Sequence, residues 1–149
     1  MHEFFDAILN NRVLIITIWG WFIAQSIKVF VGIITKKKFD FRWFVGTGGM
    51  PSAHASGASA LATATGIHFG FASPLFALAV MFALVTMFDA QGVRRSTGKQ
   101  AELLNRVMED IYWKGRIQEN RLKELIGHTP LQVIMGSILG ISIALVMSF

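Results

Sequence analysis

Four apolar stretches, each long enough to cross a bilayer, constrain this chain more than any other feature of its sequence. They run approximately over residues 13–34, 51–70, 73–90 and 130–149. A hydrocarbon core of about 30 Å requires an apolar helix of roughly 17–25 residues. The second stretch is rich in Ala, Ser, Gly and Thr, which suit close packing between helices better than contact with lipid on all sides. We predict an all-α, polytopic membrane helix bundle with about four transmembrane helices.

The composition supports a single membrane domain over residues 1–149. Hydrophobic residues make up 53% of the chain and charged residues 15%, against about 25% charged residues in soluble domains. The segment 4–9 is apolar but too short to span, so we place it at the membrane interface. No cysteine is present, which excludes disulfides and thiolate metal sites.

Residues 99–126 form a different kind of segment, in which apolar side chains recur at helical spacing beside a face of Lys, Arg and Glu. This pattern predicts an amphipathic helical insertion, cytoplasmic or interfacial, that lies on the membrane or on its own domain. Gly115 interrupts the pattern, so we expect one bent helix or two short ones. The charged face is either simply solvated or recruits lipid.

The basic residues are unevenly distributed along the chain. Most of the 14 Lys and Arg lie in the loops around residues 35–50 and 91–129, and the net charge is +5. With four spans both loops fall on one side, which the positive-inside rule makes cytoplasmic. An excess of basic residues suits a protein that binds nucleic acid, anionic lipid or a phosphorylated substrate. The four apolar stretches favour the last two partners, so we expect no nucleic-acid partner and a location in a bacterial cell membrane.

A first candidate motif joins a glycine-rich loop to a helix start. Gly48, Gly49, Pro51, Ser52 and His54 stand in order, and Pro51 suits the first helical turn. Free N–H groups at such a start bind anions, so Ser52 and its neighbours are candidates for holding phosphate. His54 would be placed to donate a proton to a leaving alkoxide. The alternative is a helix cap with an incidental histidine.

A second loop-to-helix junction carries His128. Thr129 is a candidate N-cap, Pro130 the first helical residue and Gln132 a capping-box partner. An imidazole just ahead of this helix could attack phosphorus and form a phosphohistidine. The capping box would engage the Gln132 side chain away from His128. An incidental histidine beside a cap is again the alternative.

Further charged residues flank these motifs. Arg94 and Arg95 either hold phosphate oxygens through their planar forks or anchor a helix end. Asp89 is costly in so apolar a run and would orient an arginine or a histidine. Lys28 either snorkels to the interface or reaches inward to phosphate. The carboxylates are scattered, so we expect neither a metal site nor a cofactor.

Together the clusters resemble the superfamily of type 2 phosphatidic acid phosphatases and vanadium-dependent haloperoxidases, in its small divergent membrane branch. The phrase from Gly48 to His54 resembles that family's second motif, and His128 with Val133 and Gly136 resembles the end of its third motif. The resemblance covers residues 25–140. It implies that His128 is the nucleophile and His54 the general acid. It further implies phosphate binding by Lys28, Arg42 and one or both of Arg94 and Arg95.

This chain departs from the family pattern in ways that bear on function. Gln132 stands where an acidic partner of the nucleophile is expected. We therefore hypothesise that Asp89, directly or through an arginine, supplies the missing charge. The family fold usually has about six core helices, so an interfacial helix or a second chain, as in a homodimer, would complete the bundle.

The leading functional hypothesis is an integral-membrane enzyme that hydrolyses a phosphomonoester, or a diphosphate, on a lipid at the cytoplasmic face. A non-catalytic membrane protein that binds phosphate or anionic headgroups as a scaffold or regulator is the alternative. A haloperoxidase is a third option, which suits the soluble members of the family.

Overall fold

The computed structural model describes residues 1–37, 49–112 and 128–149, and all regular structure within them is helical. The elements in chain order are α1 (His2–Leu9), α2 (Arg12–Lys36), α3 (Ala53–Phe69), α4 (Pro74–Gln91), α5 (Val93–Tyr112) and α6 (Pro130–Ser148). Three described helical stretches are long and apolar enough to cross a membrane: Arg12–Thr35, Pro74–Met108 and Pro130–Ser148. These findings confirm the predicted all-α membrane bundle.

Helix α3 is the centre of the bundle, because α2, α4 and α6 all pack against it. Its 17 residues are less apolar than the other spans, but most of them are buried by the surrounding helices. A central helix does not need an apolar surface on every side, since its neighbours shield it from lipid. The small-residue composition of this stretch therefore serves helix packing, as the sequence predicted.

Glycines let α6 approach α3 closely. A methyl group at Gly136 or Gly140 would overlap the backbone carbonyl of Ser52 or Ser56, respectively. The Ser56 hydroxyl also donates a hydrogen bond of 2.7 Å to the carbonyl of Gly20, which joins α3 to α2. Small residues and interhelical hydrogen bonds are the main means of association between membrane helices.

Two element boundaries differ from the sequence predictions. Helix α3 begins at Ala53 with Ser52 as its N-cap, so Pro51 precedes the cap instead of occupying the first turn. The Ser52 hydroxyl sets this start by accepting a hydrogen bond from the amide of Ala55. The amphipathic helix begins at Val93 and not near residue 99, because Gly92 keeps a right-handed helical backbone. The part of that segment from residue 113 onward lies outside the described residues.

Two backbone hydrogen bonds join the start of α3, the end of α4 and the start of α6 at one end of the bundle. The amide of Ser52 donates to the carbonyl of Gln132 at 3.1 Å, and the amide of His128 donates to the carbonyl of Ala90 at 3.0 Å. The polar helix ends that the sequence analysis singled out are therefore neighbours. His68 is exposed near the opposite end of α3.

Candidate active site at the helix starts

The side chains of His54 and His128 meet at this end of the bundle. Their ring centroids are 6.1 Å apart, with an angle of 63° between the ring planes. His54 lies in the first turn of α3, and His128 immediately precedes the N-cap of α6. The two imidazole rings are therefore close neighbours at the junction of the helix ends. The pair could act on one small tetrahedral group.

His128 is held firmly in place. Its residue is only 2% exposed, its backbone amide is bonded to Ala90, and its Nδ1 lies 3.2 Å from Oε1 of Gln132. An amide oxygen only accepts hydrogen bonds, so this contact assigns the proton to Nδ1. The lone pair then resides on Nε2, which is the tautomer that a nucleophilic imidazole requires.

Gln132 combines this contact with a helix cap. Its Oε1 also accepts a hydrogen bond of 3.0 Å from the amide of Thr129. The Thr129 hydroxyl in turn accepts a hydrogen bond from the amide of Gln132. The predicted capping box, with Pro130 in the first turn, is thus confirmed. The expectation that the box would draw Gln132 away from His128 was wrong, because one amide oxygen has two lone pairs and serves both partners.

His54 has different surroundings. It is partly buried, and it lies at one end of an apolar groove of about 310 Å³ between α2, α3 and α4. The groove is lined along α3 by Gly57, Ala58 and Leu61, which share one face of the helix with His54. His54 therefore adjoins an apolar groove, whereas His128 is buried and is not among the residues that line it.

Lys28, Ser52 and Asp89 are found around the same end of the bundle. The stem of Lys28 runs beside Gly49, where a Cβ atom would lie 2.9 Å from its Cγ and Cδ atoms. Gly49 has a φ of +87°, so a larger residue there is disfavoured on both counts. Ser52 is fully buried as the cap of α3, and Asp89 directly precedes the Ala90 carbonyl that binds His128.

The remaining predicted phosphate ligands are only partly covered by the structure. Arg42 lies outside the described residues. Arg94 and Arg95 belong to the first turn of α5, but their side chains also fall outside the described part. No group of three His, Cys, Asp or Glu residues that could hold a metal ion occurs among the residues that the structure describes.

Two features of the site were not predicted. The apolar groove depends on how three helices pack, for which the sequence gives no local signal. The contact between Gln132 and His128 follows from the predicted capping box, because the box places Oε1 of Gln132 at the amide of Thr129, next to His128.

A family model described as the divergent PAP2 family matches residues 9–143. The chain belongs to the divergent PAP2 family. It is also 37% identical over 153 residues to an uncharacterized membrane protein, YuiD, of Bacillus subtilis, with 95% of this chain and 97% of that protein covered. No solved structure matches this chain. Family membership confirms the resemblance seen in the motifs, and the apolar helices make this PAP2-like chain an integral membrane protein.

Proposed function

We propose that this protein is a lipid phosphate phosphatase that hydrolyses a phosphomonoester, or a diphosphate, through a phosphohistidine on His128. The observation that carries the proposal is the approach of His54 and His128, with ring centroids 6.1 Å apart, at the junction of three helix ends. Membership of a PAP2-like family supports the same chemistry.

In the first step, Nε2 of His128 attacks phosphorus and the bond between phosphorus and the lipid oxygen breaks. His54 donates a proton to the departing oxygen, so a phosphomonoester releases the lipid as a neutral alcohol and a diphosphate releases it as a lipid monophosphate. In the neutral ring, the contact between Nδ1 of His128 and Gln132 favours the tautomer whose lone pair is on the reactive Nε2. In the second step, His54 removes a proton from water, which attacks the phosphohistidine and releases inorganic phosphate.

Charge on the phosphoryl group must be balanced while it is transferred. We assign this task to Lys28, Arg42, Arg94 and Arg95, together with the N–H groups at the Ser52 cap. The negative charge that stabilises the His128 imidazolium is assigned to Asp89, because Gln132 is neutral. These residues balance charge without a metal, so activity should survive EDTA and be inhibited by vanadate, an analogue of the transition state.

The proposal is tested by phosphate release from purified protein in detergent. Phosphatidate, phosphatidylglycerophosphate and a polyprenyl diphosphate each present a tetrahedral anion on an apolar tail. We expect turnover of at least one of them, inhibition by vanadate, and loss of activity in His128→Ala. His68→Ala is the matched control, since His68 is exposed at the other end of α3. Activity that is lost in EDTA and restored by magnesium would contradict the mechanism.

The neutral Gln132 beside Nδ1 of His128 favours a second candidate, a non-catalytic protein that binds phosphate or anionic headgroups. Without a charged partner, the neutral imidazole is a weaker nucleophile, and the positive charge that develops on its ring during the attack is less stabilised. This candidate predicts saturable binding of phosphatidate that is weakened by Lys28→Ala, with no phosphate released from any of the three lipids.

We also propose that the site faces the cytoplasm, as the basic loops indicate. The chain has no cysteine, so single cysteines report sidedness cleanly. Cysteines at Lys37 and Lys114 should react with impermeant thiol reagents only in inverted vesicles, and one at Ser73 only from outside. Labelling of positions 37 and 114 from opposite sides would contradict a shared site.

A further inference from the structure

The apolar groove beside His54 has the position and lining of a binding site for a hydrocarbon chain. Helices α2 and α4 both pack on α3 but, within the described helices, not on each other, whereas α6 contacts all three. The side of α3 opposite α6 is therefore left open between α2 and α4. The groove follows that side from His54 to Leu61, a length of about 10 Å at 1.5 Å per residue.

The rim of the groove belongs to the surface of the membrane-spanning helices. Ile18 and Trp21 on α2 are 54% and 43% exposed, and Phe82 on α4 is 58% exposed. Large apolar side chains on the outside of spanning helices face lipid. The groove thus opens toward the hydrocarbon region, and a molecule can enter it sideways from the bilayer.

Apart from His54, the polar side chains that line the groove are two threonines, whose hydroxyls are already hydrogen-bonded. The hydroxyl of Thr17 donates to the carbonyl of Val13, and that of Thr86 donates to the carbonyl of Phe82. Both hydroxyls are satisfied within their own helices, so a purely apolar occupant leaves no hydrogen bond broken. Water, which needs two to four polar partners, is a poor occupant.

We infer that this groove binds a single hydrocarbon chain of the phosphorylated lipid and thereby places its phosphate beside His54. This inference rests on the proposed function for the identity of the headgroup. The groove has a volume of about 310 Å³, at the lower end of the range of roughly 300–1,000 Å³ that is usual for ligand sites. This volume suits one hydrocarbon chain and not two. The chain leaves one apolar medium for another, so its binding depends on how closely it fits the groove, and the bound chain aligns the phosphate with His54.

A binding experiment tests the groove independently of turnover. Trp21 lines the groove, and replacing Trp19, Trp43 and Trp113 with Phe leaves it as the only tryptophan. Titration with dodecyl phosphate brominated along its chain should quench Trp21 fluorescence saturably. Thr86→Phe narrows the groove beside His54 and should weaken this binding about tenfold. Val85→Phe is the matched control, because Val85 is exposed outside the groove, and it should bind as the parent does.

Hydrolysis gives a second readout. The kcat/KM for dodecyl phosphate should fall about tenfold in Thr86→Phe, while that for phenyl phosphate, which has no chain to place, should change less than about twofold. Saturable quenching without any phosphate release would support the groove and refute the proposed phosphatase. Quenching that does not saturate, or that is identical in Thr86→Phe and Val85→Phe, would overturn the groove whatever the enzyme activity.

Discussion

The two helix starts that carry histidines are built from similar residues but hold their imidazoles differently. At α3 the histidine follows the N-cap Ser52, so His54 belongs to the helix and adjoins the groove. At α6 the histidine precedes the N-cap Thr129, so His128 lies outside the helix and is buried. In this chain, the histidine that follows its cap borders the groove, whereas the histidine that precedes its cap is buried and held through Nδ1.

This difference suggests a division of labour. A nucleophile must present one nitrogen in a fixed direction, and His128 has both its backbone amide and its Nδ1 engaged. A general acid must instead reach the leaving group, which arrives with the substrate. His54, between the groove and His128, suits that task. The following predictions test whether the two histidines differ in this way.

The largest expected effect is that of His128→Ala on turnover. Loss of a catalytic nucleophile typically lowers kcat by about 10⁴-fold to 10⁶-fold. We expect a loss of this size for the best lipid substrate, measured as phosphate release in detergent, with His68→Ala unchanged. Residual activity within tenfold of the parent would mean that His128 is not the nucleophile.

His54→Ala should have a smaller effect, because general acid–base catalysis contributes about 10²-fold to 10⁴-fold. The loss should depend on the leaving group. A nitrophenyl phosphate releases a weakly basic oxygen that needs little protonation. The rate at which this substrate forms the phosphoenzyme should therefore be nearly normal in His54→Ala. Rapid-quench measurement of phosphoenzyme formation checks this. Equal losses for the alkyl and nitrophenyl esters would refute the role of His54 as the acid.

Substitutions at Gln132 test the contact that orients His128. Gln132→Met removes both the bond to Nδ1 of His128 and the acceptor for the Thr129 amide, and it should lower kcat about 10²-fold with little change in KM. Gln132→Glu keeps an acceptor oxygen in place and adds charge, so its kcat should equal or exceed that of the parent. Asp89→Asn should lower kcat about tenfold if Asp89 supplies negative charge to His128 from a distance. Collapse in Asp89→Asn with normal kcat in Gln132→Met would reverse these roles.

The smallest expected effects come from the caps themselves. Thr129→Ala removes the acceptor for the Gln132 amide but leaves Oε1 of Gln132 beside His128. It should lower the free energy of unfolding by about 1 kcal/mol, which is the usual value of an N-cap, and change kcat less than about threefold. Thermal unfolding in detergent and phosphate release provide the two measurements. A kcat loss as large as that of Gln132→Met would mean that the cap, and not the histidine contact, is what matters.

The sequence alone predicted the helical bundle well, for a physical reason. A chain in lipid must satisfy its backbone internally, so apolar stretches of sufficient length become helices. The start of α6 was also predictable, because Thr129, Pro130 and Gln132 together have few alternatives to a capped helix. The start of α3 was harder to predict, because the sequence allows the helix to begin at Pro51 or after Ser52. The Ser52 hydroxyl accepts a hydrogen bond from the amide of Ala55, so the helix begins after Ser52.

The sequence indicated the residue types of the candidate site but not the distances between them. The histidines at positions 54 and 128 are brought together by tertiary contacts, such as that between Ser52 and Gln132, which no local pattern encodes. The groove results from α2 and α4 flanking α3 without meeting, which is a property of the whole bundle. From the sequence, the capping box of Gln132 and its contact with His128 are expected to exclude each other, although one oxygen makes both contacts.

Transfer of phosphate from a lipid to His128 is the central claim, and direct detection of the phosphoenzyme tests it best. Purified protein would be mixed with a radiolabelled lipid phosphate, quenched in alkali to preserve phosphohistidine, and digested for mass spectrometry. We predict label on His128 and none in His128→Ala. The amount of label should be greater in samples that are quenched rapidly or contain less water, because water hydrolyses the phosphohistidine. Phosphate release without label on His128, or with label on His54, would contradict the account.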